Sequence, residues 1–555
     1  MARRRETLGR TLGRPALLAL ATMLAACHGC RTTPTSSTAL ARGGPPPTVR
    51  LYVVSNLAGA LEPCGCTQDQ LGGLDHLAAY IATERPNAPA SALVAAGPTL
   101  FLDVKLDPVR AAQNTWKAEA IATGLGGLEL AAWTPGANDW AAGADALARL
   151  AGLAHTAPLA ANLSGATAGA VRTAIRVVGG VSVGFAGVGA FDVDGVTTSP
   201  APAALRAAVD DLARRGAKIL VGLASVPRGE AMHLVDTVPE LNLLVVGKAA
   251  DIGEANDAPA APRLIGSTLV VEPSNHLQTV GVVDFFVRDG VFAFHDGSNV
   301  SAIDHLASLD KRIADLETRV ASWERAGLAA ADVAARRADL AKMRAERAAL
   351  AEPKPPAAGS FFRYHLEPVR VAQGTDAATH ATMVAYYRRV NDHNRVALAG
   401  REPPKVPPGG STYVGVEVCT TCHAAERRVW DRTPHARAYA TLATQFKEFN
   451  LECVSCHVTG YEQPGGSTVT TNDKLRDVQC EQCHGPGSAH VDDPERPGLV
   501  VASPRPEMCS SSCHHPPHVE GFDPVARRER ILGPGHGLAD DAPTPAWMRE
   551  SPPPR

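Results

Sequence analysis

Three cysteine pairs in the last quarter of this 555-residue chain share one form, in which two residues separate the cysteines and a histidine follows at once. They are Cys419-Thr-Thr-Cys422-His423, Cys453-Val-Ser-Cys456-His457 and Cys480-Glu-Gln-Cys483-His484. This spacing is typical of c-type haem attachment, because each thiol can bond one vinyl group of the porphyrin and the histidine then lies under the iron. Structural zinc sites also use cysteine pairs, but they need no histidine after every second cysteine. The motif therefore predicts haem c, with His423, His457 and His484 as proximal ligands.

A fourth site, Cys509-Ser-Ser-Ser-Cys513-His514, has three residues between its cysteines. It continues the series and histidines follow it, so we predict a fourth haem on a lengthened loop, with His514 as the proximal ligand. A disulfide or a pair of thiols is the alternative. Four haems in the roughly 115 residues from 411 to 525 would leave little ordinary core, so the macrocycles themselves are expected to form it. Haems packed so closely would also conduct electrons.

The second axial ligands must come from other histidines. The candidates for the distal position are His435, His490, His518 and His536, with His515 competing with His518. Each of them could instead be an ordinary exposed histidine. If every iron has two histidines, no coordination position is open and the haems transfer electrons; an iron with one histidine could bind a small molecule.

Three stretches of this region are familiar: "YVGVEVCTTCHAAERRVWDRTPHARAYATL", "ECVSCHVTGYEQPGG" and "VQCEQCHGPGSAHVDDP". Over residues 411–525 the chain resembles the tetrahaem cytochrome c-554 family. The resemblance implies that the motifs from Cys419 to His514 bind haem and that His435 and His490 are distal ligands. The extra residue of the fourth site departs from the family's spacing.

The N-terminal segment indicates export. A basic stretch, "MARRRETLGRTLGR", precedes an apolar run of twelve residues that is too short to span a bilayer but suits a signal peptide. The run ends in "LAAC", which resembles the lipobox of bacterial lipoproteins and predicts lipidation of Cys27. An ordinary signal peptide ending near a cysteine is the alternative. We expect a signal peptide over residues 1–27, a flexible tether over 28–48, and a protein anchored by lipid in the periplasm or on the outer membrane of a bacterium.

The charge of the chain bears on its partners. The formal net charge is −3, and no basic stripe follows the first residues, which argues against a nucleic-acid partner. The expected partners are other redox proteins of the envelope.

Residues 49–298 have the texture of an α/β domain. Short β-branched runs such as "KILVGLASV" and "LNLLVVG" alternate with helical stretches rich in Ala and Leu. Residues 354–410 read as a linker region that contains one strand and a helix at about 376–396, and residues 526–555 as a tail.

Residues 299–353 carry a heptad pattern. Two series of apolar residues spaced by seven are offset by three: Leu306, Ile313 and Val320, and Leu309, Leu316 and Trp323. The pattern resumes after "RAGLA" with Val333, Leu340, Met343 and Leu350. It predicts a helical hairpin or a coiled-coil arm through which residues 301–352 self-associate. A spacer helix packed on its own domain is the alternative.

The start of the α/β region is also familiar. "LYVVSNLAGALEPCGCTQDQLGGLDHLAAYI" and "LVAAGPTLF" are similar to the 5′-nucleotidase branch of the calcineurin-like metallophosphoesterases. The resemblance implies a layered α/β sandwich with two metals at the strand ends. Each metal motif is altered in this chain. The matching positions are Asn56-Leu57-Ala58-Gly59, Gly97-Pro98, Gly136-Ala137-Asn138-Asp139, Ser225-Val226 and Gly247-Lys248-Ala249-Ala250.

These replacements predict a pseudo-phosphoesterase. Proline and alanine cannot ligate a metal, and the ammonium group of Lys248 would repel one. Two-metal hydrolysis therefore lacks its cage, and a scaffold or docking role is expected. Cys64 and Cys66 in "EPCGC" could form a metal or redox site, remain structural thiols, or form a disulfide with Cys30.

Together these features favour an electron-transfer lipoprotein with haem c, an electron carrier more than an enzyme. Three alternatives stay open. One is a haem oxidoreductase acting on a small nitrogen or sulfur species at a five-coordinate iron. The others are a ligand-binding module and a residual metal-dependent phosphoesterase.

Overall fold

The computed structural model describes residues 45–64, 70–165, 167–251, 253, 255–327, 329–352, 355–515, 519 and 521–549. The predicted signal peptide, Cys27, Cys30, Cys66 and His518 lie outside these residues. The predictions made for them are therefore not tested by the fold.

The strands are β1 Val49–Ser55, β2 Pro63–Cys64, β3 Leu71–Gly72, β4 Ser91–Ala96, β5 Leu130–Thr134, β6 Leu163–Gly165, β7 Thr173–Val178, β8 Val181–Gly189, β9 Val196–Thr198, β10 Ile219–Ser225, β11 Leu243–Gly247, β12 Ala260–Ile265, β13 Thr268–Glu272, β14 Thr279–Phe286, β15 Phe294–Asp296, β16 Ser360–Pro368, β17 Gly533–Pro534 and β18 Gly537–Leu538. The α-helices are α1 Leu74–Glu84, α2 Ala111–Gly127, α3 Ala144–Leu153, α4 Ala201–Arg214, α5 Arg228–Thr237, α6 Ile303–Arg325, α7 Ala330–Ala351, α8 Ala377–Ala397, α9 Val416–Thr420, α10 Ala424–Trp430, α11 Ala438–Ala443, α12 Cys480–His484, α13 Ser488–Asp492, α14 Glu507–Ser512, α15 Pro524–Arg528 and α16 Ala546–Arg549. Short 3-10 helices span Ala137–Trp140, Val300–Ala302, Val371–Gln373, Pro434–Arg437, Val454–Cys456, Asp473–Leu475 and Glu529–Ile531.

Two six-stranded sheets form the α/β domain. The first has the order β15-β16-β14-β1-β4-β5 and the second the order β12-β13-β11-β10-β8-β7. In the second sheet the four central strands are parallel and each edge strand pairs antiparallel. In the first sheet β14 pairs antiparallel with β1 and β16, whereas β1-β4-β5 and β15-β16 are parallel. Parallel strands are normally covered on both faces, which explains why β1 and β10 read as nearly continuous apolar runs and are buried throughout.

The sheets face each other across an apolar core that includes Leu51, Val94, Val221 and Phe285. Helices α1, α2, α3 and α8 cover the outer face of the first sheet, and α4 and α5 cover that of the second. This is a four-layer α/β sandwich, so the predicted fold class is confirmed.

The region predicted as a linker, residues 354–410, contains the expected strand and helix, and both belong to the α/β domain. Strand β16 pairs with β14 over eight residues, and α8 packs on α1 and α2. The domain therefore extends beyond residue 298, to the end of α8. The sequence could not show this, because helices α6 and α7 separate β16 along the chain from β14, the strand with which it pairs.

Helices α6 and α7 pack together as a hairpin. Leu309, Ile313 and Val320 on α6 are buried with Val333 and Leu340 on α7, as the heptad pattern predicts. At the base of the hairpin, Asn299 adopts the left-handed conformation, with φ of 56°, and donates hydrogen bonds to the carbonyl groups of Leu350 and Glu352. The monomeric hairpin thus uses the apolar seam, while self-association stays a prediction.

The C-terminal module, residues 411–549, has little regular structure. Its helices are seven residues long or shorter. Among the described residues, the apolar cluster of this module contains five buried side chains, Tyr439, Leu451, Val454, Val458 and Val469. Within the described part of the chain, no helix combines the length and the apolar character that crossing a bilayer requires.

Candidate haem centre

Six histidines of the C-terminal module stand in three facing pairs. The ring centroids lie 6.2 Å apart for His423 and His490, 6.2 Å for His435 and His514, and 6.4 Å for His484 and His536. Two metal–imidazole bonds of about 2 Å, with about 1 Å more from each nitrogen to its ring centroid, place such centroids about 6 Å apart. The spacing therefore fits one iron between the rings of each pair.

The pairs connect proximal and distal histidines that the sequence could not match. His490 faces the proximal His423, and His536, from the predicted tail, faces His484. His435 faces His514, the proximal histidine of the lengthened fourth motif. Of the four distal candidates only His518 has no described position.

The other ring nitrogen of several of these histidines has a hydrogen-bond acceptor. Nδ1 lies 2.6 Å from the Val501 carbonyl oxygen in His484, 2.8 Å from that of Ile531 in His536 and 2.5 Å from that of Ala438 in His457. In His423 it lies 3.2 Å from Glu426 Oε1. A protonated Nδ1 that donates to these acceptors leaves the lone pair on Nε2, which is the tautomer that a metal-binding histidine needs.

Burial favours the neutral form of three of these imidazoles. It lowers the pKa of His435 to about 4 and also lowers the pKa of His484 and His514. A neutral ring keeps the lone pair with which it can bind iron.

The fourth motif reproduces the backbone arrangement of a regular one despite its extra residue. In the first motif the amide of His423 donates to the carbonyl of Cys419, four residues earlier, at 2.9 Å. In the fourth the amide of His514 donates to the carbonyl of Cys509, five residues earlier, at 2.8 Å. The added serine widens the turn, as in a π-type turn, and the histidine keeps its hydrogen bond to the first cysteine.

Neighbouring attachment sites are in contact through their cysteines. A hydrogen bond between the thiols raises the pKa of Cys419 beside Cys480, and another raises that of Cys513 beside Cys456. The Cys483 thiol also lies within electrostatic reach of Cys509. The first site thus adjoins the third, the third the fourth, and the fourth the second, in one continuous series.

The altered metal motifs of the α/β domain also converge, at the carboxyl ends of its parallel strands. Asn56 Oδ1 accepts a hydrogen bond from the backbone amide of Lys248 at 2.7 Å. Asn138 binds the backbone of Asp251 through both side-chain atoms, at 2.9 and 3.0 Å. Ser225 Oγ accepts from the amide of Gly97 at 2.9 Å. The polar atoms that remain at these positions therefore bond to the protein's own backbone.

A cation of the chain occupies this cleft. Lys248 Nζ lies 2.7 Å from Asp251 Oδ1 and 2.6 Å from Asp257 Oδ2. Burial alone would lower the pKa of Lys248, but the hydrogen bonds to the two aspartates raise it. The sequence reading missed both aspartates, although an acid three residues after Lys248 was a visible signal.

The cleft is also tightly closed. A Cβ atom added to Gly97 would lie 2.1 Å from Asn56 Oδ1, and one added to Gly247 would lie 2.4 Å from the backbone of Ala96. Across the described ranges, no group of three or more His, Cys, Asp or Glu side chains is arranged to hold a metal ion.

Comparisons with solved structures concern the α/β domain. A 5′-nucleotidase precursor from Thermus thermophilus has 15% sequence identity and a TM-score of 0.43, with 64% of this chain and 61% of that chain covered. The calcineurin-like phosphoesterase YfkN from Bacillus subtilis has 18% identity and a TM-score of 0.34, with 44% and 86% covered.

Comparisons of sequence concern the C-terminal module. Cytochrome c-554 from Nitrosomonas europaea is 32% identical over 102 residues, which are 16% of this chain and 43% of that protein. The chain thus spans less than half the length of this relative. Residues 418–485 match the profile of the family described as cytochrome c554 and c-prime. The segment that carries the three regular cysteine–histidine motifs is therefore similar to this family of c-type cytochromes.

Proposed function

We propose that the protein is a multihaem c-type cytochrome that transfers electrons in the bacterial cell envelope. The observation that carries this proposal is the set of three histidine pairs, whose ring centroids are 6.2 to 6.4 Å apart. Each pair unites a histidine that follows a cysteine motif with one that is distant in sequence. Haem would supply one-electron chemistry, and two histidines per iron favour electron transfer over substrate binding.

The residues of the chain support this role in three ways. The cysteines would anchor the porphyrins, and their mutual contacts place successive sites side by side. The paired imidazoles would hold three of the irons from both sides. The acceptors on Nδ1 fix ring orientation and tautomer, so that little reorganises when an electron arrives.

Haem stoichiometry on the exported protein tests this proposal. Haemochrome absorbance relative to protein concentration and the intact mass should give four haems per chain. A Cys509→Ala/Cys513→Ala variant should lose one haem and keep three. Three haems in the unsubstituted chain would show that the fourth motif is not an attachment site. None, in cells competent for cytochrome maturation, would refute the proposal in favour of zinc. High-spin haem that binds cyanide or nitric oxide would instead favour the oxidoreductase.

We further propose that the phosphoesterase-like domain is catalytically inactive and acts as a scaffold. The ammonium group of Lys248 between Asp251 and Asp257 supports this, as does the contact between Gly97 and Asn56. No hydrolysis of a phosphomonoester such as p-nitrophenyl phosphate is expected with added Mn²⁺ or Mg²⁺. Metal-dependent turnover that disappears in Asn138→Ala would contradict the proposal.

Lipid anchoring at Cys27 is proposed on the sequence alone, from "LAAC" after the apolar run. Metabolic labelling with a fatty acid should mark the protein, and Cys27→Ser should abolish the label. An unlabelled, fully released protein would show that the leader is an ordinary signal peptide.

A further inference from the structure

The segment that leads into the second haem motif is held by the α/β domain through a buried amide network. Gln113 on α2 is 2% exposed, Asn394 on α8 is 4% exposed and Asn450, three residues before Cys453, is 1% exposed. Gln113 Nε2 donates to Asn450 Oδ1 at 3.0 Å, Gln113 Oε1 accepts from the Leu451 amide at 3.1 Å, and Asn394 Nδ2 donates to the Phe449 carbonyl at 2.9 Å. Because an unmade hydrogen bond would leave a buried polar group unsatisfied, this network holds the segment in one position.

Two salt bridges join the α/β domain to the C-terminal module. In one the α/β domain supplies the cation, and in the other it supplies the anion. Lys117 of the α/β domain lies 2.8 Å from Glu452 of the C-terminal module, and Glu62 of the α/β domain pairs with Lys447 of that module. Their side chains are between 10% and 31% exposed, so solvent screens them only in part. Each charge that approaches the second motif is thus balanced by one from the other domain.

All four charges act on the first cysteine of that motif. Burial raises the pKa of the Cys453 thiol; Glu452 and Glu62 raise it as well, whereas Lys447 and Lys117 lower it. An iron or porphyrin held at this motif would lie in the same field.

We propose that the α/β domain sets the reduction potential of the haem held by Cys453, Cys456 and His457, with Lys117 and Glu62 as its positioning residues. This inference rests on the proposed function. Oxidised haem carries one more positive charge than reduced haem. A nearby unbalanced carboxylate therefore stabilises the oxidised state and lowers the potential, whereas an unbalanced ammonium group raises it. The domain that lost its metal motifs would in this way tune one haem of the module.

The test compares two substitutions with opposite expected signs. Lys117→Met leaves Glu452 unbalanced and should lower the potential of the second site. Glu62→Gln leaves Lys447 unbalanced and should raise it. A merely structural role would not reverse the sign between the two variants. Lys117→Arg keeps the charge and should restore the original potential.

Spectroelectrochemical titration of the haem-loaded full chain gives the readout. The transition that belongs to the second site is the one that disappears in a Cys453→Ala/Cys456→Ala variant. Arg344→Met is the matched control, because Arg344 pairs with Glu317 on the exposed hairpin, and it should leave every potential unchanged.

Several results would overturn the inference: no shift, shifts of the same sign in both variants, or equal shifts at all sites. Haem content and circular dichroism of each variant are measured first. If Lys117→Met loses haem, the haem content of Lys117→Arg is compared with it. Loss of haem in both variants would show that Lys117 has a packing role instead. Absence of haem from the unsubstituted chain would refute the proposed function, whereas unchanged potentials in loaded protein would refute only this inference.

Discussion

At the scale of single residues, the acceptor on Nδ1 distinguishes the first haem site from the second and the third. Glu426 faces His423 with a carboxylate, whereas His457, His484 and His536 face neutral backbone carbonyls. A carboxylate makes the imidazole a stronger electron donor, which stabilises oxidised iron. This carboxylate should therefore give the first site a lower reduction potential than a backbone carbonyl in its place would give.

Replacing Glu426 by Gln should raise the potential of that one site. The expected rise is up to about 60 mV, which corresponds to a tenfold change in the equilibrium constant of a one-electron couple. Redox titration followed by EPR measures it. Glu417→Gln is the control, since Glu417 pairs with Arg427 and not with a histidine. An unchanged potential in Glu426→Gln would show that the carboxylate does not act on His423.

A second residue-scale prediction concerns Asp139, which is fully buried next to the closed cleft. Burial raises its pKa to about 7, although the backbone amides of Leu100, Gly136 and Thr99 donate to it and lower the pKa. A folded-state pKa above the unfolded one means that the stability from this group is full below pH ~4 and lost as pH rises to ~7.

The free energy of unfolding of the α/β domain should therefore fall over this pH range, and less so in Asp139→Asn. The substitution should also cost about 1–3 kcal/mol at low pH, because the amide cannot accept from every backbone donor. Denaturant titrations at pH 4, 5.5 and 7 measure both effects. Asp145→Asn, at an exposed position of α3, should show neither. Identical pH slopes in Asp139→Asn and the unsubstituted chain would contradict the assignment.

The sequence indicates candidate ligands, but it does not indicate which of them face each other. The spacing of each cysteine motif follows from local chemistry, so His423, His457 and His484 could be named directly. Which distal histidine faces which proximal one depends on chain folding over tens of residues. The pairing of His536 with His484 was therefore not visible, and neither was the contact of Asp257 with Lys248.

At the scale of elements, the heptad spacing predicted the α6–α7 hairpin. The local sequence pattern did not predict how far the first sheet extends along the chain. Helix α8 and strand β16 were each expected, yet their docking on the sandwich depends on contacts with residues 75 or more positions away. The hairpin needs only its own two helices. That difference explains why one architecture was predictable and the other was not.

Removing one side chain from the hairpin seam should loosen the hairpin alone. Ile313 is 8% exposed on α6, and Ile313→Ala should destabilise the hairpin by about 2–4 kcal/mol, since a buried aliphatic group is lost. Hydrogen exchange should speed up in α6 and α7 and stay unchanged at the haem motifs. Exposed Arg336→Ala is the control. Sedimentation of the unsubstituted chain, beside both variants, tests self-association. A monomeric unsubstituted chain would contradict the prediction of a coiled-coil arm.

At the scale of the whole molecule, the two parts of the chain have different sources of stability. The α/β domain has three large apolar cores, two outside its sheets and one between them. In the described part of the C-terminal module, the one apolar cluster has five buried members, and the other buried apolar side chains are scattered. Because so small a cluster cannot offset the chain entropy of more than a hundred residues, we expect the module to need bound haem for its fold.

In a chain made without haem attachment, the α/β domain should therefore stay folded and the C-terminal module should not. Substituting alanine for the cysteines of all four motifs should leave an α/β domain whose cooperative thermal transition persists, since its cores are unchanged. The C-terminal module should then become sensitive to protease from about residue 405, and the segment around Asn450 should lose its protection from hydrogen exchange. Limited proteolysis with mass analysis distinguishes the two regions within one sample. If the haem-free module resists protease as well as the haem-loaded one, the short helices and the interdomain amide network are enough to fold the module. Haem would then contribute to its function and not to its folding.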